Sequence, residues 1–310
     1  MEISDFNLEH QMDFELSRNS FPYFFQHVCG PALGLETYYY PKYMEEWLEL
    51  MHSTQRTVLI CSRDHGKSVF MHCWVIWNLI FQPKGYQMVY ISSNQKQTLV
   101  HMREIDKYFT HPMLQRFKPI RGWSVGHIRL TNGNELLARS VGSQIRGLHP
   151  NEIIIDDPLK EFSMSAIQKV TDWFYSDMIP TLHHSASLRV IGTPFSYTDI
   201  YAQLAENDVY EVRTYPCLNS LNEPLWPDRW DYNSLMLRKG EIGTIAFTRE
   251  YLCVPMSTGT SLFNPEYLDN SKSKDYILKP QRRKDFRYYV GVDPAISTDG
   301  DYNVITVLEV

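Results

Sequence analysis

The feature that most constrains the fold lies between residues 57 and 81, where a strand-like segment, a polar turn and a long apolar segment follow one another. Thr57–Cys61 is rich in branched apolar residues and is predicted to be a buried strand. The next segment, Lys67–Phe81, is predicted to be a helix. The turn between them reads Ser62-Arg63-Asp64-His65-Gly66-Lys67-Ser68. It matches the phosphate-loop pattern GxxxxGK[ST], except that Cys61 takes the place of the first glycine.

The chemistry of such a loop survives that replacement. Gly66 lets the backbone curl, so that its N–H groups face a phosphate at the start of a helix. Lys67 then neutralises the β- and γ-phosphates, and the Ser68 hydroxyl is suited to hold Mg²⁺. The alternative is a solvated loop that happens to contain a lysine. The position between an apolar strand and an apolar helix favours the phosphate loop.

A second candidate strand, Glu152–Asp156, ends in two carboxylates, Asp156 and Asp157. In a phosphoryl-transfer site of this kind, Asp156 accepts from the water shell of Mg²⁺, and Asp157 orients the attacking water. The alternative is a buried strand that ends in a turn, because Asp-Asp-Pro is a good turn sequence. The phosphate loop elsewhere in the chain favours the catalytic interpretation.

Two further segments fit nucleotide hydrolysis. The first, Gly192-Thr193-Pro194, ends another candidate strand and places a hydroxyl where it can sense a γ-phosphate and pass that state to Phe195. The second contains Arg146, which precedes a glycine and suits an arginine that reaches a phosphate outside its own pocket. The alternative for Arg146 is an ordinary surface salt bridge.

Short apolar segments alternate with helical ones after residue 55, which predicts an α/β fold with a parallel sheet and crossover helices. A helix over Ser93–Phe109 is expected to be capped by Ser93, and a β-hairpin is expected to turn at Asn132-Gly133. The strands predicted besides Thr57–Cys61 are Gln87–Ser92, Glu152–Asp156, Leu188–Gly192 and Val209–Tyr215.

Composition narrows the functional classes. Among the 310 residues, 43% are apolar and 21% are charged, which excludes a mostly disordered chain. No apolar run is long enough for a membrane span, and we expect no membrane association. The five cysteines are scattered without metal-ligand spacing, which fits a reducing interior. The net charge of −6 argues against a chain that is basic throughout, but it allows a local basic face for nucleic acid.

Taken in order, these segments resemble the large terminase subunit of tailed bacteriophages, the ATP-driven motor that packages DNA into a procapsid and cuts the concatemer. The matching pieces are SRDHGKS, SSNQKQT, IRG followed after seven residues by IDD, IGTP, TREYLCVPMSTGTSLF, and YVGVDPA with DYNVITVLEV. Each piece is modest, but the ordered set covers almost the whole chain.

The resemblance implies a P-loop fold (ASCE/RecA-like), a parallel sheet with flanking helices, followed by the first strands of an RNase H-like domain that looks truncated. The expected organisation is an N-terminal helical part of the ATPase domain (1–55), the ATPase core with its C-terminal subdomain (56–270), a linker (271–285) and the start of the nuclease (286–310).

The resemblance also implies roles for single residues. Arg63 matches an arginine that the family keeps inside its phosphate loop, and Arg146 matches one thought to act in trans on a neighbouring subunit's ATP. Asp293 matches the first metal-binding aspartate of the nuclease. Many members carry Glu where this chain has Asp157, so either Asp157 positions the water differently or Glu161 shares that task.

The implied cofactors are ATP and Mg²⁺, with Mg²⁺ or Mn²⁺ for a complete nuclease. The implied partners are double-stranded DNA, the portal protein and the small terminase subunit. The family further implies a homo-oligomeric ring, a pentamer, on the procapsid in the host cytoplasm, with a monomer in solution as the alternative. We expect no complete nuclease site in these 310 residues. Competing functions are a helicase-like DNA-dependent ATPase and a nucleotide-gated, non-catalytic docking subunit.

Overall fold

A computed structural model describes residues 8–34, 39–121, 123–160, 163–256, 284, 286–293 and 304–309. The chain divides into two compact units, Met1–Gly259 and Thr260–Val310. Nearly all of the predicted linker, 271–285, lies outside the described residues, with Lys284 as the exception. Within the described residues no helix combines the length and the apolar character that crossing a bilayer requires.

The first unit is built on one seven-stranded sheet with the order β3-β4-β2-β5-β6-β1-β7. All neighbouring strands are parallel except β3 and β4, so the predicted parallel sheet is confirmed in its main part. The strands are β1 (Arg56–Cys61), β2 (Gln87–Ser92), β3 (His127–Arg129), β4 (Glu135–Ser140), β5 (Glu152–Asp156), β6 (Ser187–Gly192) and β7 (Glu211–Tyr215).

Helices precede, connect and follow these strands. Among the described residues they are α1 (Leu8–Asn19), α2 (Phe21–Phe24), α3 (Gly30–Ala32), α4 (Tyr43–Ser53), α5 (Lys67–Phe81), α6 (Gln95–Tyr108), α7 (Pro112–Gln115), α8 (Met164–Trp173), α9 (Ile200–Ala205), α10 (Tyr232–Ile242) and α11 (Thr244–Glu250). A π-helical turn (Phe25–Cys29) joins α2 to α3. A second π-helical turn (Phe174–Met178) and a 3₁₀ turn (Ile179–Thr181) extend α8.

The sheet separates two hydrophobic cores, because alternate side chains of a strand point to opposite faces. In β1, Leu59 and Cys61 pack with the helices α1 to α7, whereas Val58 and Ile60 pack with α8 and α9. β5 follows the same rule and is buried along its whole length. Strands that are covered on both faces have nearly continuous apolar sequences, and this is why they could be predicted from the sequence.

Two local predictions can be compared directly with the structure. The hairpin turn is present between β3 and β4, where Gly133 has φ +89°, a conformation that favours glycine. The cap of α6 is wrong by one residue: Asn94, not Ser93, precedes the helix, and its side chain accepts from the backbone N–H of Gln97. Asn and Ser are comparable caps, so the sequence did not separate them.

In the second unit the described residues form two strands, β8 (Tyr288–Asp293) and β9 (Val304–Glu309). They pair in antiparallel register from Tyr288 opposite Glu309 to Asp293 opposite Val304.

A buried ion pair ties the amino ends of β5 and β6 together. The Arg189 guanidinium donates to Glu152 at 2.8 Å and also to the carbonyl oxygen of Met51 at 2.7 Å. The carboxylate of Glu152 accepts further from the indole N–H of Trp74 and the hydroxyl of Tyr86. Both charged side chains are almost fully buried, so each one needs its partners.

Replacing Arg189 with leucine is therefore expected to lower the free energy of unfolding by about 3–5 kcal/mol, because Glu152 would remain buried without its countercharge. Arg213→Leu, which removes the exposed pair with Glu211 on β7, is the control and should cost less than about 1 kcal/mol. Urea denaturation of both variants measures the two values. Equal losses would show that the buried pair has no special weight.

Candidate active site at the carboxyl ends of the parallel strands

The order of the strands decides where the candidate residues meet. β6 lies between β1 and β5, and all three are parallel, so their carboxyl ends lie at one edge of the sheet. A cleft of about 670 Å³ opens at this edge, within the usual size range of ligand pockets. Its walls are the β1–α5 loop (residues 62–66), the first turns of α5 and α6, and the chain that follows β5 and β6.

The β1–α5 loop takes a tight shape that depends on glycine. Gly66 precedes α5 with φ +78°, and a Cβ at this position would lie 2.7 Å from the Cε atom of Met44. Asp64 also has a positive φ, +61°, which costs energy for a residue other than glycine. Gly66 thus fills both a conformational and a steric requirement.

A segment far away in sequence holds the strained loop in place. The backbone N–H of Arg63 donates to the carbonyl oxygen of Glu250 at 2.8 Å. The indole N–H of Trp230 donates to the carbonyl oxygen of Asp64. The hydroxyl of Tyr251 donates to the carboxylate of Asp64 at 3.1 Å. These contacts offset the strain at Asp64 and fix which loop groups face the cleft.

Two of the predicted loop residues lie beneath the loop and do not line the cleft. Ser62 and His65 are fully buried. The His65 ring lies 2.7 Å from the carbonyl oxygen of Arg63 through Nδ1, and the carbonyl oxygen of His65 accepts from the Tyr43 hydroxyl. Burial lowers the pKa of His65 to about 4, so its ring is neutral at physiological pH. His65 therefore supports the loop from below.

Lys67 connects β1 to β6. Its ammonium group is buried and donates to the carbonyl oxygens of Cys61 and Ser62, at 2.8 and 3.1 Å, and to the hydroxyl of Thr193 at 3.1 Å. The backbone N–H of Thr193 in turn donates to the carboxylate of Asp157 at 3.1 Å. A continuous series of hydrogen bonds thus runs from the loop through the end of β6 to the end of β5.

Asp157 stands at the centre of this edge in an unusual conformation, with φ +45°. Its side chain is exposed to solvent and lines the cleft. The surrounding protein raises the pKa of Asp157, and the neighbouring carboxylate of Asp156 adds to the rise, while Lys67 and the N–H of Thr193 oppose it. A carboxylate with a raised pKa is better able to accept a proton from water.

Gly192 is required by the position of Asp157. A Cβ on Gly192 would lie 2.5 Å from Oδ1 of Asp157 and would also overlap the hydroxyl of Tyr201. Thr193 and Pro194 follow as the first residues after β6, and both are buried. The predicted Gly-Thr-Pro segment is thus in contact with the carboxylate at the end of β5.

Asp156 points to the opposite face of the sheet from its neighbour Ile155, toward α5 and α6, and is fully buried. Its Oδ2 accepts a 2.5 Å hydrogen bond from the hydroxyl of Tyr90. Its Oδ1 is buried and has no hydrogen-bond partner among the residues that the structure describes. A buried carboxylate oxygen without a partner is costly, and it fits a cation ligand.

Of the remaining predicted residues, Arg63 lies at the cleft and Arg146 does not. Arg146 is exposed and does not line the cleft; it binds the carboxylate of Asp177 at 2.7 Å and the carbonyl oxygen of Ser176 at 3.0 Å. Glu161 lies outside the described residues. Asp293 ends β8 in the second unit. Arg63 is at the cleft with an exposed side chain 3.4 Å from Glu250.

Several residues that line the cleft were not predicted. From α6 and its cap come Asn94, Gln97 and His101, and from the distant segment come Arg229 and Glu250. The signal for the first group was the cap sequence after β2, which places the start of α6 at the same sheet edge. In the second group, Glu250 belongs to the matching segment TREYLCVPMSTGTSLF, which assigned it no role, and Arg229 carries no local signal.

No protein-family model and no curated protein matches the sequence. Solved structures do match. The HK97 bacteriophage large terminase is 16% identical, with a TM-score of 0.58, covering 94% of this chain and 67% of that chain. The Thermus phage P74-26 large terminase ATPase domain is 16% identical, with a TM-score of 0.51 and coverage of 72% and 96%.

A further match is the large terminase of a thermophilic bacteriophage, solved in complex with ADP, which is 10% identical with a TM-score of 0.50 and coverage of 87% and 65%. This chain has the fold of a large terminase. The resemblance predicted from the ordered segments is thereby confirmed at the level of the fold, and the chain spans about two thirds of the HK97 and the ADP-bound large terminases.

The contact between Gly192 and Asp157 gives a testable prediction. Gly192→Ala is expected to lower the free energy of unfolding by about 1–3 kcal/mol, because the new methyl group displaces Asp157 and Tyr201. The control is Gly240→Ala in α10, where the Cβ meets open space and alanine should stabilise the helix by about 0.5–1 kcal/mol. Chemical denaturation compares the two, and destabilisation of equal size by both changes would contradict the steric argument.

Proposed function

We propose that this chain is a DNA-packaging ATPase and that the cleft binds and hydrolyses ATP. The observation that carries the proposal is the hydrogen-bond series from Lys67 through Thr193 to Asp157. It joins a cation, a hydroxyl and a carboxylate at the ends of three parallel strands. This is the set of groups that phosphoryl transfer requires, at the place where open α/β sheets bind ligands.

In this proposal the β1–α5 loop acts as the phosphate loop. α5 has 15 residues, and the unpaired N–H groups of its first turn, together with its dipole, favour an anion at that end. Lys67 supplies a full positive charge at the same point. The phosphates then compete with the carbonyl oxygens of Cys61 and Ser62 for the ammonium group.

Ser68 and Asp156 are the residues that would hold Mg²⁺. Ser68 lines the cleft in the first turn of α5, and Oδ1 of Asp156 is the buried oxygen that has no protein partner. When bound, the ion neutralises charge on the β- and γ-phosphate oxygens. Hydroxyl and carboxylate oxygens are the ligands that Mg²⁺ prefers.

Asp157 is proposed to orient and activate the attacking water. Its positive φ and its bond to the N–H of Thr193 aim the carboxylate into the cleft, and its raised pKa suits a proton acceptor. Glu161 remains the alternative for this role. Thr193 contacts both Lys67 and Asp157, so a change in the position of Lys67 on phosphate release is transmitted along Gly192-Thr193-Pro194 toward Phe195.

Two arginines complete the proposed site. Arg63 lies on the phosphate loop of the same subunit with its side chain exposed beside the cleft. Arg146 lies on an exposed surface outside its own cleft, where it binds the carboxylate of Asp177 and the carbonyl oxygen of Ser176. An arginine in that position is suited to reach the ATP of a neighbouring subunit in a homo-oligomeric ring, for which a pentamer is the proposed form.

The motor assignment is supported by the terminase fold together with this site. One large terminase of similar fold, from a thermophilic bacteriophage, was solved in complex with ADP, and the HK97 and P74-26 proteins are also large terminases. The partners that we propose are those implied by the resemblance of the ordered segments: double-stranded DNA, the portal protein and the small terminase subunit, in the host cytoplasm. For the second unit we propose the start of an RNase H-like nuclease, with Asp293 as its first Mg²⁺ or Mn²⁺ ligand.

The hydrolytic function is tested with Lys67→Ala. ATP turnover is expected to fall at least about 100-fold, because the variant lacks the positive charge that stabilises the negative charge developing on the phosphate oxygens. The control is Lys84→Ala, an exposed lysine outside the cleft, which should keep wild-type turnover. Phosphate release measures both. Wild-type turnover in Lys67→Ala would refute the phosphate loop, and ATP binding without turnover in the wild type would favour the docking subunit.

The trans role of Arg146 has its own test. Arg146→Ala and Lys67→Ala chains are each expected to be inactive alone, yet their mixture should recover part of the activity. Mixed rings contain interfaces where an intact Arg146 faces an intact Lys67 site. Phosphate release at several mixing ratios measures this recovery, and its absence at every ratio would count against action between subunits.

A further inference from the structure

The residues behind Asp156 form a buried polar cluster that the proposed reaction does not use. It contains Tyr90 from β2, His101 from α6 and His72 from α5, and each of the three is at most 8% exposed. The cluster lies among the apolar side chains of the core on the α5 side of the sheet. Buried polar side chains need mutual hydrogen bonds in such surroundings.

The contacts within the cluster converge on one oxygen. The hydroxyl of Tyr90 donates to Oδ2 of Asp156 at 2.5 Å, and Nδ1 of His101 lies 3.7 Å from the same oxygen. Nδ1 of His101 is also 3.1 Å from Nε2 of His72, so that one of these two nitrogens donates to the other. Oδ2 is therefore hydrogen-bonded from β2 and faced by a ring from α6.

The other oxygen, Oδ1, has no partner although it is buried. Because Oδ2 is fixed by Tyr90 and faced by His101, the carboxyl group cannot rotate to exchange the two oxygens without breaking the shortest bond in the cluster. The arrangement leaves one buried oxygen in a set orientation, without a hydrogen-bond partner among the described residues. Partners that fix a metal ligand in this way commonly change metal affinity about 10–100-fold when they are removed.

We propose that Tyr90 and His101 are positioning residues that hold Asp156 with Oδ1 free for the magnesium ion of the nucleotide. This inference rests on the proposed function, because it concerns the same Mg²⁺. It adds that Mg²⁺ affinity is set from β2 and α6, outside the segments that carry the nucleotide residues. His101 also lines the cleft and lies 3.4 Å from Gln97, so the cluster reaches the cleft surface.

The chain supplies a closely matched control. Tyr86 lies four residues before Tyr90, just ahead of β2, and its hydroxyl donates to Glu152 at the opposite end of β5. Tyr86→Phe and Tyr90→Phe thus each remove one hydroxyl from a bond to a buried carboxylate of β5. Only Tyr90 contacts Asp156. A structural role would give both variants the same effects.

The experiment uses the full chain and measures binding of a fluorescent, non-hydrolysable ATP analogue while Mg²⁺ is titrated. For Tyr90→Phe, the Mg²⁺ concentration at half-maximal binding is expected to rise about tenfold. For Tyr86→Phe it should match the wild type, and thermal unfolding should show comparable losses of stability in both. His101→Phe, which removes both ring nitrogens, is a second variant and should shift the Mg²⁺ curve in the same direction.

Three results would overturn the inference. A wild-type Mg²⁺ curve in both Tyr90→Phe and His101→Phe would do so, and so would an equal shift in Tyr86→Phe. Stoichiometric Zn²⁺ in the purified wild type that is lost in His72→Phe would instead make the cluster a transition-metal site. Failure of the proposed function looks different, because the wild type itself would then bind no ATP analogue at any Mg²⁺ concentration.

Discussion

The ammonium group of Lys67 is largely buried, and acceptors within the protein meet its charge. The structure supplies two carbonyl oxygens at the end of β1 and the hydroxyl of Thr193 at the end of β6. Because β6 separates β1 from β5, the hydrogen bonds from this lysine to the carboxylate of Asp157 pass through Thr193. One buried cation thus links the ends of three strands at the edge where the cleft opens.

The loop that presents Lys67 is strained, and distant residues keep it in shape. Asp64 has a positive φ, and Trp230 and Tyr251 bind it from the chain around α10 and α11. Glu250 adds a backbone bond and a side-chain contact to Arg63. Any rearrangement of this segment would therefore change the positions of Arg63 and Asp64 at the cleft. A buried hydrogen bond also holds the side chain at each end of β5. Arg189 donates to Glu152 at the amino end, and Tyr90 donates to Asp156 at the carboxyl end.

Most strands and the central helix of the fold were predictable, because their signals are local. β1, β5 and β6 are buried on both faces and read as apolar runs, and α5 begins and ends where the sequence predicts. The helical segment over residues 164–181 is irregular: α8 begins at Met164, and π-helical and 3₁₀ turns follow it. α8 is preceded by a capping serine, Ser163, whose side chain accepts from the backbone N–H of Ala166.

The residues of the candidate site also divide into those with a local sequence signal and those without one. The strand–loop–helix unit with Gly66 and Lys67 and the paired carboxylates at the end of β5 could be identified from the amino-acid sequence, because their chemistry depends on neighbours along the chain. Alternation along a strand predicts that Asp156 and Asp157 face opposite sides, but it does not say which side is which. The packing of the sheet placed Asp157 at the cleft and Asp156 against Tyr90. The tertiary structure alone brought Glu250, Arg229 and His101 to the cleft, because contacts between distant segments depend on strand order and packing, for which no local pattern exists.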